Sequence, residues 1–102
     1  MNTNLSLKII TPDGQAANIV CDSIRLPAAD DEHGKNGGFV GIHPGHTAAM
    51  IALDKGTVSA YTGGTPILTI HIKEGFAAVS PEAVVIMTDA CTDMQLSERY
   101  CQ

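Results

Sequence analysis

The sequence contains no tryptophan and only two phenylalanines and two tyrosines among its 102 residues. A core must therefore be built from aliphatic side chains, since aromatic residues are too few to fill it. Positive charge is also scarce: six Lys and Arg are spread along the chain, against eleven Asp and Glu, for a net charge of −5. Nucleic acids and anionic membranes attract clustered Lys and Arg, so the composition argues against binding to either.

Long apolar segments and ordered cysteine patterns are missing as well. No apolar stretch approaches the roughly 18 residues of a membrane span, and residues 1–8 lack the pattern of a signal peptide. The three cysteines, Cys21, Cys91 and Cys101, are odd in number and match no metal-ligand spacing. We expect three reduced thiols, with a Cys91–Cys101 disulfide left open, in a soluble chain of one domain that stays where it is made.

Apolar and polar residues alternate along several short segments. The alternation covers residues 5–9, 23–26 and 68–73, and residues 84–87 are apolar at every position. A period of two indicates strands with one buried face, and a fully apolar run indicates a central strand covered on both faces. The expected core residues are Leu7, Ile9, Ile24, Leu26, Leu68, Ile70, Ile72, Val84 and Ile86.

Turn-forming residues separate these segments at short intervals. Residues 12–14, 54–56, 63–64 and 80–82 are rich in Gly, Pro and Asp, which favour tight turns. Short strands with frequent turns predict an all-β fold through residue 88, an antiparallel two-sheet β-sandwich or a barrel.

Two segments have helix-forming compositions instead. A helical turn remains open for residues 46–53, and residues 93–99 resemble the beginning of a helix. A helix this short is marginal in water, so we expect a frayed C-terminal end.

Residues 34–45 contain five glycines in twelve positions and are the most unusual part of the chain. A phosphate-binding loop requires Gly-Lys-Ser or Gly-Lys-Thr at the start of a helix, whereas Asn36 follows Gly34-Lys35 here. We therefore favour a sharply bent backbone that approaches another surface closely.

Residues that could carry chemistry do not converge. His43 and His46 have metal-ligand spacing, but the Pro44-Gly45 turn between them spoils the geometry of a helical site. We expect His46 to hydrogen-bond within the loop and His43 to point outward. The acidic residues 30–32 are best interpreted as a solvated loop. We predict no catalytic, cofactor or metal site.

Six segments, in order along the chain, resemble the epsilon subunit of F-type ATP synthase. The segment 38–46, Gly-Phe-Val-Gly-Ile-His-Pro-Gly-His, is similar to the family's Gly-x-x-Gly-Ile-x-Pro-Gly-His loop. The other five segments are residues 7–14, 22–27, 52–56, 74–80 and 83–89. The resemblance covers about residues 5–91.

The resemblance implies a β-sandwich at the foot of the rotating central stalk, bound to the gamma subunit and to the polar loops of the c-subunit ring. It implies a non-catalytic rotor subunit that couples ion translocation to ATP synthesis and lies at the cytoplasmic face of the bacterial inner membrane, in contact with the membrane only through the complex. We call residues 38–46 the docking loop. Its predicted interface residues are Gly38, Phe39, Val40, Gly41, Ile42, His43, Pro44, Gly45 and His46.

The sequence departs from the family at several points. Residues 28–37 form a longer loop than usual, and Phe39 stands where an acidic or polar residue is common, so apolar contacts from Phe39, Val40 and Ile42 would replace a salt bridge. We assign residues 1–90 to the sandwich and residues 91–102 to a C-terminal stub, with the family's helical hairpin absent. The expectation is a subunit that neither binds ATP nor inhibits hydrolysis through an inserted tail.

Two alternatives remain open. The chain could be a free-standing β-sandwich that binds a small molecule or peptide. It could also be a small metal-dependent enzyme that uses His43, His46 and a thiol.

Overall fold

The computed structural model describes residues 4–28 and 39–96. Within these ranges the chain forms ten strands and no helix, so no helix there has the length and apolar character needed to cross a membrane. The strands are β1 (Leu5–Thr11), β2 (Gly14–Cys21), β3 (Ser23–Pro27), β4 (Phe39–Ile42), β5 (Ala49–Leu53), β6 (Gly56–Thr62), β7 (Thr65–Ile72), β8 (Gly75–Val79), β9 (Ala83–Thr88) and β10 (Cys91–Leu96).

The strands form two five-stranded sheets. The first, sheet A, has the order β2-β1-β9-β8-β5, and the second, sheet B, has the order β10-β7-β6-β3-β4. The strand pairs are antiparallel, except that β1 and β9 run parallel, with Leu7 opposite Val84 and Ile9 opposite Ile86. The predicted two-sheet sandwich is confirmed, and the parallel pair brings the first and the ninth strand together at the centre of sheet A.

The core lies between the sheets and is aliphatic. All nine residues predicted for it are buried, and none exposes more than 4% of its surface. Both sheets contribute: Leu5 and Leu7 come from β1, whereas Ile24 and Leu26 come from β3. Alternation with a period of two located this core correctly because each pleated strand places every second side chain on its inner face.

Neither segment of helix-forming composition is helical where the structure describes it: the turn left open for residues 46–53 is not helical, and the helix start expected at residues 93–99 is wrong up to residue 96. Residues 49–53 form β5 and pair with β8, and residues 93–96 belong to β10, which pairs with β7. Ala, Met, Leu and Gln are good helix formers, but intrinsic preferences amount to less than about 1 kcal/mol per residue, and pairing with a neighbouring strand overrides them. Sheet B thus extends past residue 90 to Leu96, and residues 97–102 lie outside the described ranges.

Strand β9 is central in its sheet, as expected, but only one of its faces is covered by this chain. Val84 and Ile86 are buried, whereas Met87 is 42% exposed and Val85 is half-buried. The prediction of burial on both faces is wrong for the isolated chain, because no second layer of the described residues covers the outer side of sheet A.

Candidate docking surfaces

The docking loop consists of strand β4 and the turn that follows it, apart from Gly38, which lies outside the described residues. Strand β4 pairs antiparallel with β3, so that Phe39 lies opposite Pro27 and Ile42 opposite Ile24. It is an edge strand of sheet B. The docking loop is therefore anchored to the sandwich on one side, and no described residue pairs with β4 on the other.

The apolar side chains of the docking loop point in different directions. Ile42 is completely buried in the core and Val40 packs against the core, whereas Phe39 is 54% exposed. The expectation that all three present apolar contact to a partner is therefore wrong for Ile42. Because side chains alternate along a strand, Phe39 and Ile42, three residues apart, face opposite sides of the sheet.

The turn of the docking loop is held by several hydrogen bonds. Gly45 adopts φ +88°, which glycine tolerates best, and its N–H donates to the carbonyl of Pro81 at 2.8 Å. The N–H of His46 donates to the carbonyl of His43 at 3.1 Å, and Nδ1 of His46 donates to the carbonyl of Thr47 at 2.7 Å. These bonds tie the loop to the β8–β9 turn and give it a defined shape.

The histidines are arranged as expected. His46 hydrogen-bonds within the loop, and the side chain of His43 is exposed. No group of three His, Cys, Asp or Glu residues that could hold a metal ion occurs in residues 4–28 and 39–96.

Cys21 is a poor candidate for a reactive thiol. It is 2% exposed, and its Sγ lies 3.8 Å from the carbonyl oxygen of Leu5. Burial, with a smaller contribution from the charge of Asp22, raises the pKa of the Cys21 thiol to about 11. Since the thiolate is the nucleophile and the metal ligand, this environment gives no support to the metal-dependent enzyme.

The outer surface of sheet A carries an apolar face that the sequence reasoning missed. Cross-strand partners share a face of the sheet, and one outer row runs through Ile10, Met87, Phe76 and Ala52. The next row contains Val85, Ala78 and Met50. We call these seven residues the apolar face. Met50 is 64% and Phe76 54% exposed, which are large fractions for side chains of this size and hydrophobicity.

A shallow groove of about 700 Å³ runs along one edge of the apolar face, lined among others by Ile10, Ala52, Phe76 and Met87. Beneath the groove, the backbones of β8 and β9 approach closely at Gly75. Only a glycine fits there, because a Cβ at this position would overlap the carbonyl oxygen of Met87. The signal in the sequence was that residues 75–79 and 83–87 are apolar at both odd and even positions. A strand with one face in water would be apolar at every second position only.

The chain is thus a two-sheet β-sandwich whose outside presents an apolar face and a well-anchored loop. A family model described as the β-sandwich domain of the ATP synthase delta/epsilon chain matches residues 4–93. The match spans most of the chain, and the chain belongs to this family.

Curated relatives are described as ATP synthase epsilon chains. The chain is 29% identical over 84 residues to the ATP synthase epsilon chain of Granulibacter bethesdensis, covering 82% of this chain and 57% of the relative. It is 33% identical over 90 residues to that of Lawsonia intracellularis, covering 88% and 62%. For Koribacter versatilis the identity is 32% over 90 residues, covering 88% and 58%. The chain therefore spans about 60% of the length of these relatives.

Two solved structures share the fold. A chain in the cryo-EM structure of the Euglena gracilis mitochondrial ATP synthase superposes with a TM-score of 0.73 at 19% identity, covering 90% of this chain and 54% of that one. A chain in the central stalk and c-ring structure of the Tetrahymena thermophila mitochondrial ATP synthase gives 0.64 at 14% identity, covering 87% and 66%.

Proposed function

We propose that this chain is a non-catalytic, epsilon-type subunit of the central stalk of an F-type ATP synthase. It joins the gamma subunit to the c ring and so couples ion translocation to ATP synthesis. The observation that carries the proposal is the family match over residues 4–93, together with curated relatives described as ATP synthase epsilon chains.

The division of the surface supports a role between two partners. The apolar face lies on the outside of sheet A, whereas the docking loop extends from the edge of sheet B. Interfaces in permanent complexes are more hydrophobic than transient ones. We assign the apolar face to gamma and the docking loop to the c ring. A partner on the apolar face would also cover the second side of β9, which the apolar run at residues 84–87 predicts to be buried.

A stalk subunit must transmit torque without deforming. Ten strands, a continuous aliphatic core and the Gly45–Pro81 hydrogen bond of 2.8 Å form a rigid body to which the docking loop is anchored. In this proposal the chain contains no catalytic or cofactor site. It lies at the cytoplasmic face of a bacterial inner membrane and meets the membrane only through the complex.

The proposal is tested by co-purification. Tagged wild-type chain, expressed with its own gamma and c subunits, should retain both. The double variant Phe76→Glu, Met87→Glu places two charges on the apolar face and should reduce gamma binding at least tenfold, because desolvating an unpaired charge at an interface is costly.

Thr92→Glu, at an exposed site on β10 of sheet B, is the matched control and should bind like the wild type. Circular dichroism and thermal unfolding must show that the variants are folded. Failure of the wild-type chain to retain either subunit would refute the proposed function. Normal gamma binding by the folded double variant would refute only the assignment of the apolar face.

The groove of about 700 Å³ keeps a second candidate open, a free-standing module that binds a small molecule or peptide. Such a module would not retain gamma or c subunits. A wild-type chain that retains both therefore excludes it as the principal function.

A further inference from the structure

A small cleft opens on the outer face of sheet B, where β3 lies between β4 and β6. Its volume is about 280 Å³. The polar and aromatic residues that line it, together with one glycine, are Ser23, Arg25, Phe39, Gly41, His43 and Tyr61. Half of these residues belong to the docking loop.

Gly41 forms the floor of the cleft. It lies directly opposite Arg25 in the β3–β4 pair, and it contributes no side chain to this position. Phe39 and His43 are two residues away on either side of Gly41, and Nε2 of His43 is 3.9 Å from the point that a Cβ at Gly41 would occupy. Arg25, Phe39 and His43 therefore surround an opening of the sheet surface.

The cation in this cleft is positioned by an aromatic ring, and no carboxylate among the described residues neutralises it. The guanidinium carbon of Arg25 lies 4.1 Å from the centre of the Phe39 ring. Arg25 forms no ion pair with any carboxylate of residues 4–28 or 39–96. The nearest acidic residue in sequence, Asp22, instead accepts a hydrogen bond of 2.7 Å from the N–H of Gly63.

A stacked guanidinium keeps its planar edge of N–H donors free, and that edge fits the two oxygens of a carboxylate. The hydroxyl groups of Ser23 and Tyr61 supply further donors at the other side of the cleft, where these residues face each other across β3 and β6. The cleft thus offers donors and one fixed positive charge to a small planar anion.

We propose that the cleft around Arg25 and Phe39 receives a carboxylate side chain, Asp or Glu, of the subunit that docks on the loop. This inference rests on the proposed function, because it assigns a binding chemistry to the same docking surface. A carboxylate delivered by a docked protein has a high effective concentration. Free phosphate lacks that advantage.

The binding chemistry is tested on the isolated chain by NMR titration. The probe is the blocked peptide acetyl-Ala-Glu-Ala-amide, with the corresponding Gln peptide as the comparison. The Glu peptide should shift the signals of the Gly41 amide and the Arg25 Nε–H with a saturable profile. The Gln peptide should shift them at least tenfold less at equal concentration.

Three variants make the titration specific. Arg25→Gln should abolish the response and Arg25→Lys should reduce it about tenfold, since lysine lacks the planar fork. Lys55→Gln removes an exposed cation from the β5–β6 turn and should leave the response unchanged. Equal shifts with the Glu and Gln peptides, or an undiminished response in Arg25→Gln, would overturn the proposal.

A co-purification experiment distinguishes failure of this inference from failure of the proposed function. In co-purification with gamma and the c ring, Arg25→Gln should weaken retention of the subunit on the docking loop about tenfold, while Lys55→Gln retains it fully. If the wild-type chain assembles and Arg25→Gln assembles equally well, the inference alone fails. If the wild-type chain does not assemble at all, the proposed function fails, and the titration still decides whether the cleft binds carboxylates.

Discussion

Phe76 and Met87 lie directly opposite each other on strands β8 and β9, and both side chains point away from the core. They are 54% and 42% exposed. Their outward position follows from the inward position of Ala77 and Ile86, since neighbours along a strand alternate. This pair is the centre of the outer row Ile10, Met87, Phe76 and Ala52, whose members come from four different strands. The proposal that a partner binds sheet A is based on this row.

The buried aliphatic residues should dominate the stability of the domain. Ile70 and Ile86 are at most 1% exposed, so Ile70→Ala or Ile86→Ala should lower the free energy of unfolding by about 2 to 5 kcal/mol. Met87→Ala, on the outer face of β9, should change it by less than about 1 kcal/mol. Urea unfolding of the three variants measures the difference. Equal losses at Ile86 and Met87 would contradict the described orientation of β9.

A charged side chain should unfold the domain at one end of strand β4 and be tolerated at the other. Ile42→Asp places a carboxylate in the aliphatic core and should abolish the cooperative unfolding transition, because an unpaired buried charge costs more than a small domain can sustain. Phe39→Asp, at an exposed position, should remain folded with a loss of about 1 kcal/mol or less. Circular dichroism with thermal melting distinguishes the two. A folded Ile42→Asp protein would show that the docking loop is not anchored as described.

Gly75 should not tolerate a side chain. In Gly75→Ala the new methyl group would overlap the Met87 carbonyl oxygen, so β8 and β9 must separate, at a cost of about 1 to 3 kcal/mol. Gly41→Ala is the matched control, because the nearest atom to its Cβ would be 3.9 Å away, an ordinary contact. A melting temperature for Gly75→Ala equal to that of Gly41→Ala would refute this explanation of the glycine.

Cys21 should make the fold sensitive to alkaline pH. Burial raises the pKa of its thiol from 9.0 to about 11, so the folded state favours the protonated form. The stabilisation is complete below pH 9 and is lost as the pH rises toward 11, by up to about 2 to 3 kcal/mol.

The measurement is the free energy of unfolding between pH 8 and 11 for the wild type and Cys21→Ala. The variant should be less stable at pH 8 but should decline less steeply, since the other titrating groups are common to both proteins. Parallel pH profiles would show that Cys21 titrates alike in the folded and the unfolded chain.

Much of the fold could be predicted because alternation is a local property. Leu68, Ile70 and Ile72 identified a strand and its buried side from six consecutive residues. Residues 49–53 were ambiguous for the same reason: their composition suits a helix, and only pairing with β8 makes them a strand. The position of the docking loop in the chain rests on the resemblance to the family and stays a prediction. The direction of Ile42 was predicted wrongly, since its burial depends on Ile24 across the sheet.

The sequence by itself determined the class of fold, the aliphatic core and the family, because strand period, turn residues and motif order are properties of neighbouring residues. Only the tertiary structure decided which surfaces the molecule presents. Strand pairing brings Ile10 beside Met87 across 77 positions of sequence, and it brings Arg25 over Phe39 beside a glycine floor. Such contacts join strands that are distant in the chain, and no local pattern encodes which strands will pair.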